Sequence, residues 1–82
     1  MGTVPTGFSG QEIAKVLTSY GYRITSRTGS HLTLREELDT GEVRQTTVPM
    51  HDRVRIGPLR DIARDVGAND FERFCRWIDN NS

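Results

Sequence analysis

Apolar positions along this chain change period twice. From Ser9 the spacing is helical: Ile13, Val16, Leu17 and Tyr20 recur three and four residues apart. Ser9 and Glu12 have the form of a capping box, and Gly21 stands where a helix-closing glycine belongs. The period then becomes two. Tyr22 and Ile24 alternate with Arg23 and Thr25, and Leu32 and Leu34 alternate with His31, Thr33 and Arg35. The segment 42–49 alternates more weakly, but its Thr and Val content favours a strand. Helical spacing returns after Gly57-Pro58, which predicts a second helix with Pro58 at its first position. Leu59, Ile62, Ala63 and Val66 form its stripe, and Gly67 closes it. Asn69 with Glu72 reads as another capping box, opening a third helix to about Asn80 with Phe71, Phe74, Cys75 and Ile78 as its stripe and Trp77 beside them.

The order α-β-β-β-α-α predicts an α+β domain, a three-stranded antiparallel sheet with helices on one face. Glycine ends many three-residue hairpin loops at the left-handed position. Taking Arg27-Thr28-Gly29 as the first loop sets Ser26 opposite Ser30, Ile24 opposite Leu32 and Tyr22 opposite Leu34. Taking Asp39-Thr40-Gly41 as the second sets Leu38 opposite Glu42, Leu34 opposite Thr46 and Leu32 opposite Val48. Both registers keep apolar residues on one face, where a one-residue slip would mix the faces.

Composition narrows the picture. Eighty-two residues make one domain. Residues 1–8, rich in Gly, Thr and Pro, read as a flexible lead-in without the apolar stretch of a signal peptide, and residues 9–82 as the folded unit. No apolar run approaches the ~20 residues of a membrane span. The single cysteine forms no internal disulfide. A cytoplasmic protein without a membrane partner is the expectation. The formal net charge is zero, yet every basic residue except Lys15 is arginine, the side chain suited to gripping phosphate.

The register places Arg23, Thr25, His31, Thr33, Arg35, Gln45 and Thr47 on the face away from the helices, with Arg27 in the adjoining loop. His31 then faces Thr25 on one side and Pro49 on the other, and His51 follows two residues past Pro49. Histidine near arginines suits RNA cleavage. RNA carries its own nucleophile, the 2′-hydroxyl. Breaking the chain needs a base for that hydroxyl, an acid for the departing 5′-oxygen and cations for the phosphorane, and histidine is the side chain that titrates near neutrality. No metal or other cofactor is called for: the acidic residues are scattered, and no His/Cys/Asp spacing has the form of a metal site. Arg53 and Arg55 precede the second helix, whose N-terminus is the kind of place where a phosphate binds. A non-catalytic RNA-binding module and a protein-interaction domain docking through Phe74 and Trp77 are the alternatives that the residues leave open.

Four stretches resemble the HicA (YcfA-like) mRNA interferase toxins, small proteins with a double-stranded-RNA-binding-domain-like α-β-β-β-α fold. They are Tyr20-Gly21-Tyr22 at a helix end, Arg27-Thr28-Gly29-Ser30-His31 with its glycine-serine-histidine motif, Val48-Pro49-Met50-His51, and Gly57-Pro58-Leu59-Arg60-Asp61-Ile62 through Val66-Gly67. The likeness covers about residues 9–67 and leaves the helix at 69–80 as an addition. It implies a type II toxin that cleaves mRNA without a metal, and a HicB-type antitoxin that covers its site. It makes His31 the catalytic residue, with His51 and Ser30 as assisting residues. Arg23, Arg27, Thr33, Arg35, Arg53 and Arg55 are the candidate RNA-binding residues. In two respects the chain departs from the family pattern: its net charge is zero where members tend to be basic, and Leu32 follows the histidine.

Overall fold

The computed structural model describes residues 3–82. Helix α1 (Gly10–Ser19) is followed by strands β1 (Arg23–Thr28), β2 (His31–Glu37) and β3 (Val43–Pro49), then helices α2 (Ile56–Asp65) and α3 (Phe71–Asn81). The sheet is antiparallel in the order β1-β2-β3. Helices α1 and α2 pack on it, and α3 rests on both of them. The expected α+β architecture is therefore the one observed.

The α1 capping box forms as expected: Ser9 Oγ accepts from the Glu12 amide, and Glu12 Oε1 accepts from the Ser9 amide. Helix α2 starts at Ile56, one residue before the Gly-Pro signal. Arg55 is its N-cap, so Pro58 occupies the third helical position rather than the first. That position lies in the first turn, where a missing N–H still costs no helical hydrogen bond. Helix α3 is capped by Asp70, not Asn69; Asp70 Oδ1 accepts from the Arg73 amide at 3.1 Å.

The second hairpin has the expected register. Leu32 pairs with Val48 and Leu34 with Thr46, and Leu38 and Gly41 close the loop. The first hairpin differs. Thr28 pairs with His31 and Arg27 with Leu32, leaving only Gly29-Ser30 as the turn. Gly29 has φ +60°, and no non-glycine residue has a positive φ among the described residues. A glycine alone at the first central position is the type II′ requirement, and that turn matches the twist of paired strands. The new turn moves Ile24 away from Leu32, and a bulge between Ile24 and Ser26 then shifts the ladder by one residue, so Ile24 pairs with Leu34.

Leu32, Leu34, Thr46 and Val48 line the inner face of the sheet and are buried against Ile13, Val16 and Leu17 of α1 and Leu59 and Ile62 of α2. The core closes with Phe74, Cys75 and Ile78 of α3. Strand β1 contributes nothing to it; all six of its residues are exposed. The expected lead-in is not loose throughout. Phe8 is buried in the core, its carbonyl accepts from the Val54 amide at 2.7 Å, and Val4 packs against the same cluster. Met1 and Gly2, also placed in the lead-in, lie outside the described residues.

Burial pushes the Cys75 thiol above its usual pKa and leaves little thiolate near neutrality. Native protein is expected to resist a thiol reagent such as DTNB, with stoichiometric labelling only after unfolding. Rapid labelling of the folded protein would contradict the packing of α3.

Gly10, the first residue of α1, rests directly on the end of β3. Its amide donates to the His51 carbonyl at 2.9 Å. A Cβ there would collide with the Pro49 carbonyl and stand 2.7 Å from Met50 Cα. Alanine is the better helix former by about 1 kcal/mol, but overpacking against backbone costs about 1–3 kcal/mol. The collision wins, because the atoms it meets are main chain at the end of a paired strand. Gly10→Ala is expected to lower the melting temperature by roughly 4–8 °C per kcal/mol of stability removed. An unchanged or higher melting temperature would contradict this close approach.

Candidate functional site

The Gly29-Ser30 turn sets His31 on the first residue of β2, exposed and on the sheet face opposite the helices. Its cross-strand neighbours are Thr28 on β1 and Pro49 on β3. Thr28 takes the place expected for Thr25, because the turn is Gly29-Ser30 rather than Arg27-Thr28-Gly29 and β1 therefore pairs three residues further along; Thr25 itself is the bulged residue. Pro49 is buried beneath the α1 terminus, so the floor beside His31 is fixed from behind by Gly10. The Met50 amide donates to the Ser30 carbonyl at 2.6 Å, which ties the turn to the end of β3.

Along β2 the same face continues with Thr33 and Arg35. Thr33 pairs with Ser26 and Thr47, and its hydroxyl lies 3.5 Å from that of Thr47. Arg35 pairs with Arg23 on one side and Gln45 on the other. The face therefore runs from an imidazole, through neutral hydroxyls, to two guanidinium groups. Glu37, the last residue of β2, brings the only carboxylate of this strand face among the described residues.

The remaining expected site residues are dispersed. Ser30 is a turn residue rather than the start of the strand, and it is exposed. Arg27 is a strand residue opposite the buried Leu32, so pairing directs it to the other face from His31. A three-residue turn would have left it in the loop, and the turn has two. His51 lies beyond the end of β3, exposed, with its carbonyl committed to the α1 amide; strand pairing does not bring it opposite His31. The Arg53 guanidinium lies over Gly7, and Arg55 caps α2 without a side-chain hydrogen bond. Neither belongs to the strand face.

Two supports of the site go beyond what the sequence led us to expect. A three-residue loop hides Thr28, although Gly-Ser between alternating runs is itself a two-residue turn signal. Gly10 has a signal too: glycine directly after a capping serine weakens a helix start, which asks for a packing reason.

A separate open groove of about 500 Å³ lies between α3 and the far ends of α1, β2 and β3, lined by Tyr20, Tyr22, Glu36, Arg44, Phe74 and Trp77. The Tyr20 and Trp77 rings meet edge to face at 4.8 Å there. Burial, aided by the Glu36 carboxylate, holds the Tyr22 hydroxyl above its usual pKa. None of the expected site residues lines this groove. Among the described residues, no three His, Cys, Asp or Glu side chains stand close enough together to hold a metal ion, and no helix is long and apolar enough to cross a membrane.

A small α+β domain whose first hairpin presents a histidine beside a row of hydroxyls and arginines is thus the setting for the comparison with known families. The family described as HicA toxin of bacterial toxin–antitoxin matches residues 10–68, most of the chain and all of the hairpin face. The chain belongs to the HicA toxin family, whose members act in toxin–antitoxin systems and so imply an antitoxin partner. No curated protein and no solved structure gives a significant match.

Proposed function

We propose that this protein is a metal-independent endoribonuclease, the mRNA-cleaving toxin of its pair, with His31 as the acid/base residue. The observation that carries the reading is the position of His31. It sits on the strand residue that flanks the turn, open to solvent, on a face that bears arginines and hydroxyls. Membership of the HicA family supplies the toxin role.

The chemistry follows from the substrate. The 2′-oxygen attacks the adjacent phosphorus and loses its proton, the P–O5′ bond breaks, and the departing 5′-oxygen gains a proton. The products are a 2′,3′-cyclic phosphate and a 5′-hydroxyl. His31 moves the proton at one of these oxygens, and the arginines farther along the face hold the RNA strand by its phosphates. A HicB-type antitoxin that neutralises the toxin covers this face, and the pair acts in the cytoplasm.

Incubating purified protein with single-stranded RNA and excess EDTA, beside His31→Ala, tests the reading. Cleavage by the parent protein alone is expected. Equal cleavage by both proteins, or activity lost to EDTA, would overturn it. RNA binding that weakens with salt, with no cleavage product at any pH, would mark a non-catalytic RNA-binding module instead.

A further inference from the structure

Arg23 and Arg35 form the one pairing on the outer face that folding does not explain. They are direct cross-strand partners, and like charges in that position repel. Three other arginines of the chain have close polar partners: Arg44 donates to the Val66 carbonyl at 2.8 Å, Arg64 pairs with Asp61 at 2.7 Å, and Arg76 with Glu72 at 2.9 Å. Arg35 reaches only Glu37, at a loose 3.8 Å, and its Nε is buried without a partner among the described residues. Arg23 forms no ion pair among the described residues. Two arginines directly opposite each other on paired strands, without an adequate counter-charge, make an anion site, because both forks can close on one phosphate.

The position of the pair sets it apart from the phosphate at which His31 works. His31 and Arg35 share one face of one strand, four residues apart, and at about 3.3 Å per residue the separation is roughly 13 Å. Side chains that stand roughly perpendicular to the sheet keep this separation, so the arginine pair and His31 meet different phosphates. The stretch between them carries Ser26, Thr33 and Thr47, neutral groups that a sugar or base can meet without charge repulsion.

We propose that Arg23 and Arg35 form a distal phosphate subsite, so that an RNA strand lies along β2 with its scissile bond at His31 and a second phosphate held at the arginine pair. This rests on the nuclease reading and adds to it a direction and a minimum length of substrate. Arg27, on the other face, has no part in the subsite.

The test compares Arg23→Gln and Arg35→Gln with the parent protein on two substrates, a dinucleoside monophosphate and a single-stranded ribo-oligonucleotide that spans the face. The first has one phosphate and cannot fill both positions. The parent is expected to prefer the longer substrate in kcat/KM. Either variant is expected to shrink that preference about tenfold, mainly through KM. A second arm measures binding of a 2′-O-methyl oligonucleotide, which this chemistry cannot cleave. There the slope of log affinity against log salt is expected to fall by about 0.7 for each phosphate that the variant no longer neutralises. Melting temperatures that hold or rise in the variants are expected, because each relieves a like-charge pair. An unchanged length preference together with an unchanged salt slope would overturn the subsite. Equal losses on both substrates would also overturn it, because they would place the arginines at the scissile phosphate. If the parent cleaves neither substrate, the nuclease reading fails, and the salt-slope arm alone decides whether the arginine pair holds a phosphate.

Discussion

His31→Ala is expected to reduce the single-turnover rate of RNA cleavage by about 10²–10⁴-fold, the usual contribution of one positioned acid/base group. The side chain is exposed and lies outside the buried core. Its removal leaves the packed inner face of β2 intact, and a surface substitution of this kind changes stability by about 0.5 kcal/mol or less. Activity and stability therefore separate: the melting temperature holds while the rate collapses. His31→Gln keeps a side chain able to form hydrogen bonds but cannot exchange a proton near neutrality, so it is expected to be as inactive as alanine. A rate within a few-fold of the parent for either variant would remove His31 from the chemistry.

Deleting residues 69–82 is expected to unfold the protein, even though the family match ends at residue 68. Helix α3 places Phe74, Cys75 and Ile78 in the core, with Phe74 4% exposed and the other two 0%. Burying a side chain as large as Phe or Ile stabilises by about 1.5–3 kcal/mol. Removing α3 loses these terms and also uncovers the faces of α1 and α2 on which it rests. A domain of this length has a total stability of roughly 4–12 kcal/mol, at about 0.05–0.15 kcal/mol per residue. The loss is of the same size as the whole. The edge-to-face packing of Trp77 on Tyr20 also goes, together with the Tyr20 hydroxyl bond to Asn81 at 2.9 Å. Circular dichroism of the truncated chain is expected to show no cooperative melt. A sharp thermal transition would mean that the family-matching segment is self-sufficient and α3 an ornament on it.

These expectations show how far the sequence can be read. Apolar spacing locates all six elements, because most of them bury one face and the buried face sets the period. The β2–β3 register is legible because Leu32 and Leu34 alternate on β2, Thr46 and Val48 share a parity on β3, and the second loop's glycine aligns them. Strand β1 offers no such constraint: it is exposed throughout, so the burial of its residues cannot choose between registers. The choice there falls to turn chemistry, and Gly29 fits both the end of a three-residue loop and the start of a two-residue turn. That ambiguity displaces Thr25 and Arg27 from their expected places. The outward direction of His31 does not depend on it, because β2 sets its own parity from Leu32 and Leu34. The arginine pair opposite Gln45 is beyond the sequence for the same reason that the bulge is: both appear only once β1 is aligned.

The starts of α2 and α3 differ from expectation by one or two residues because neighbouring residues compete for each cap. Asp70 prevails over Asn69, and Arg55 takes the cap of α2 without a side-chain bond. Gly10 shows a different limit. A glycine after the capping serine asks for a packing reason, but its approach to the Pro49 backbone joins residues about forty positions apart, and no local pattern names that partner.

The most direct test of the central claim is the chemistry of the cut. An RNA oligonucleotide bearing one preferred cleavage position, and the same oligonucleotide with a single 2′-deoxy sugar there, are incubated with the protein in EDTA, and the product ends are identified by mass spectrometry. Cleavage of the all-ribose strand to a 2′,3′-cyclic phosphate and a 5′-hydroxyl is expected, with no cut at the deoxy position and none anywhere by His31→Ala. Cleavage at the deoxy position, or product ends carrying a 5′-phosphate, would contradict the account.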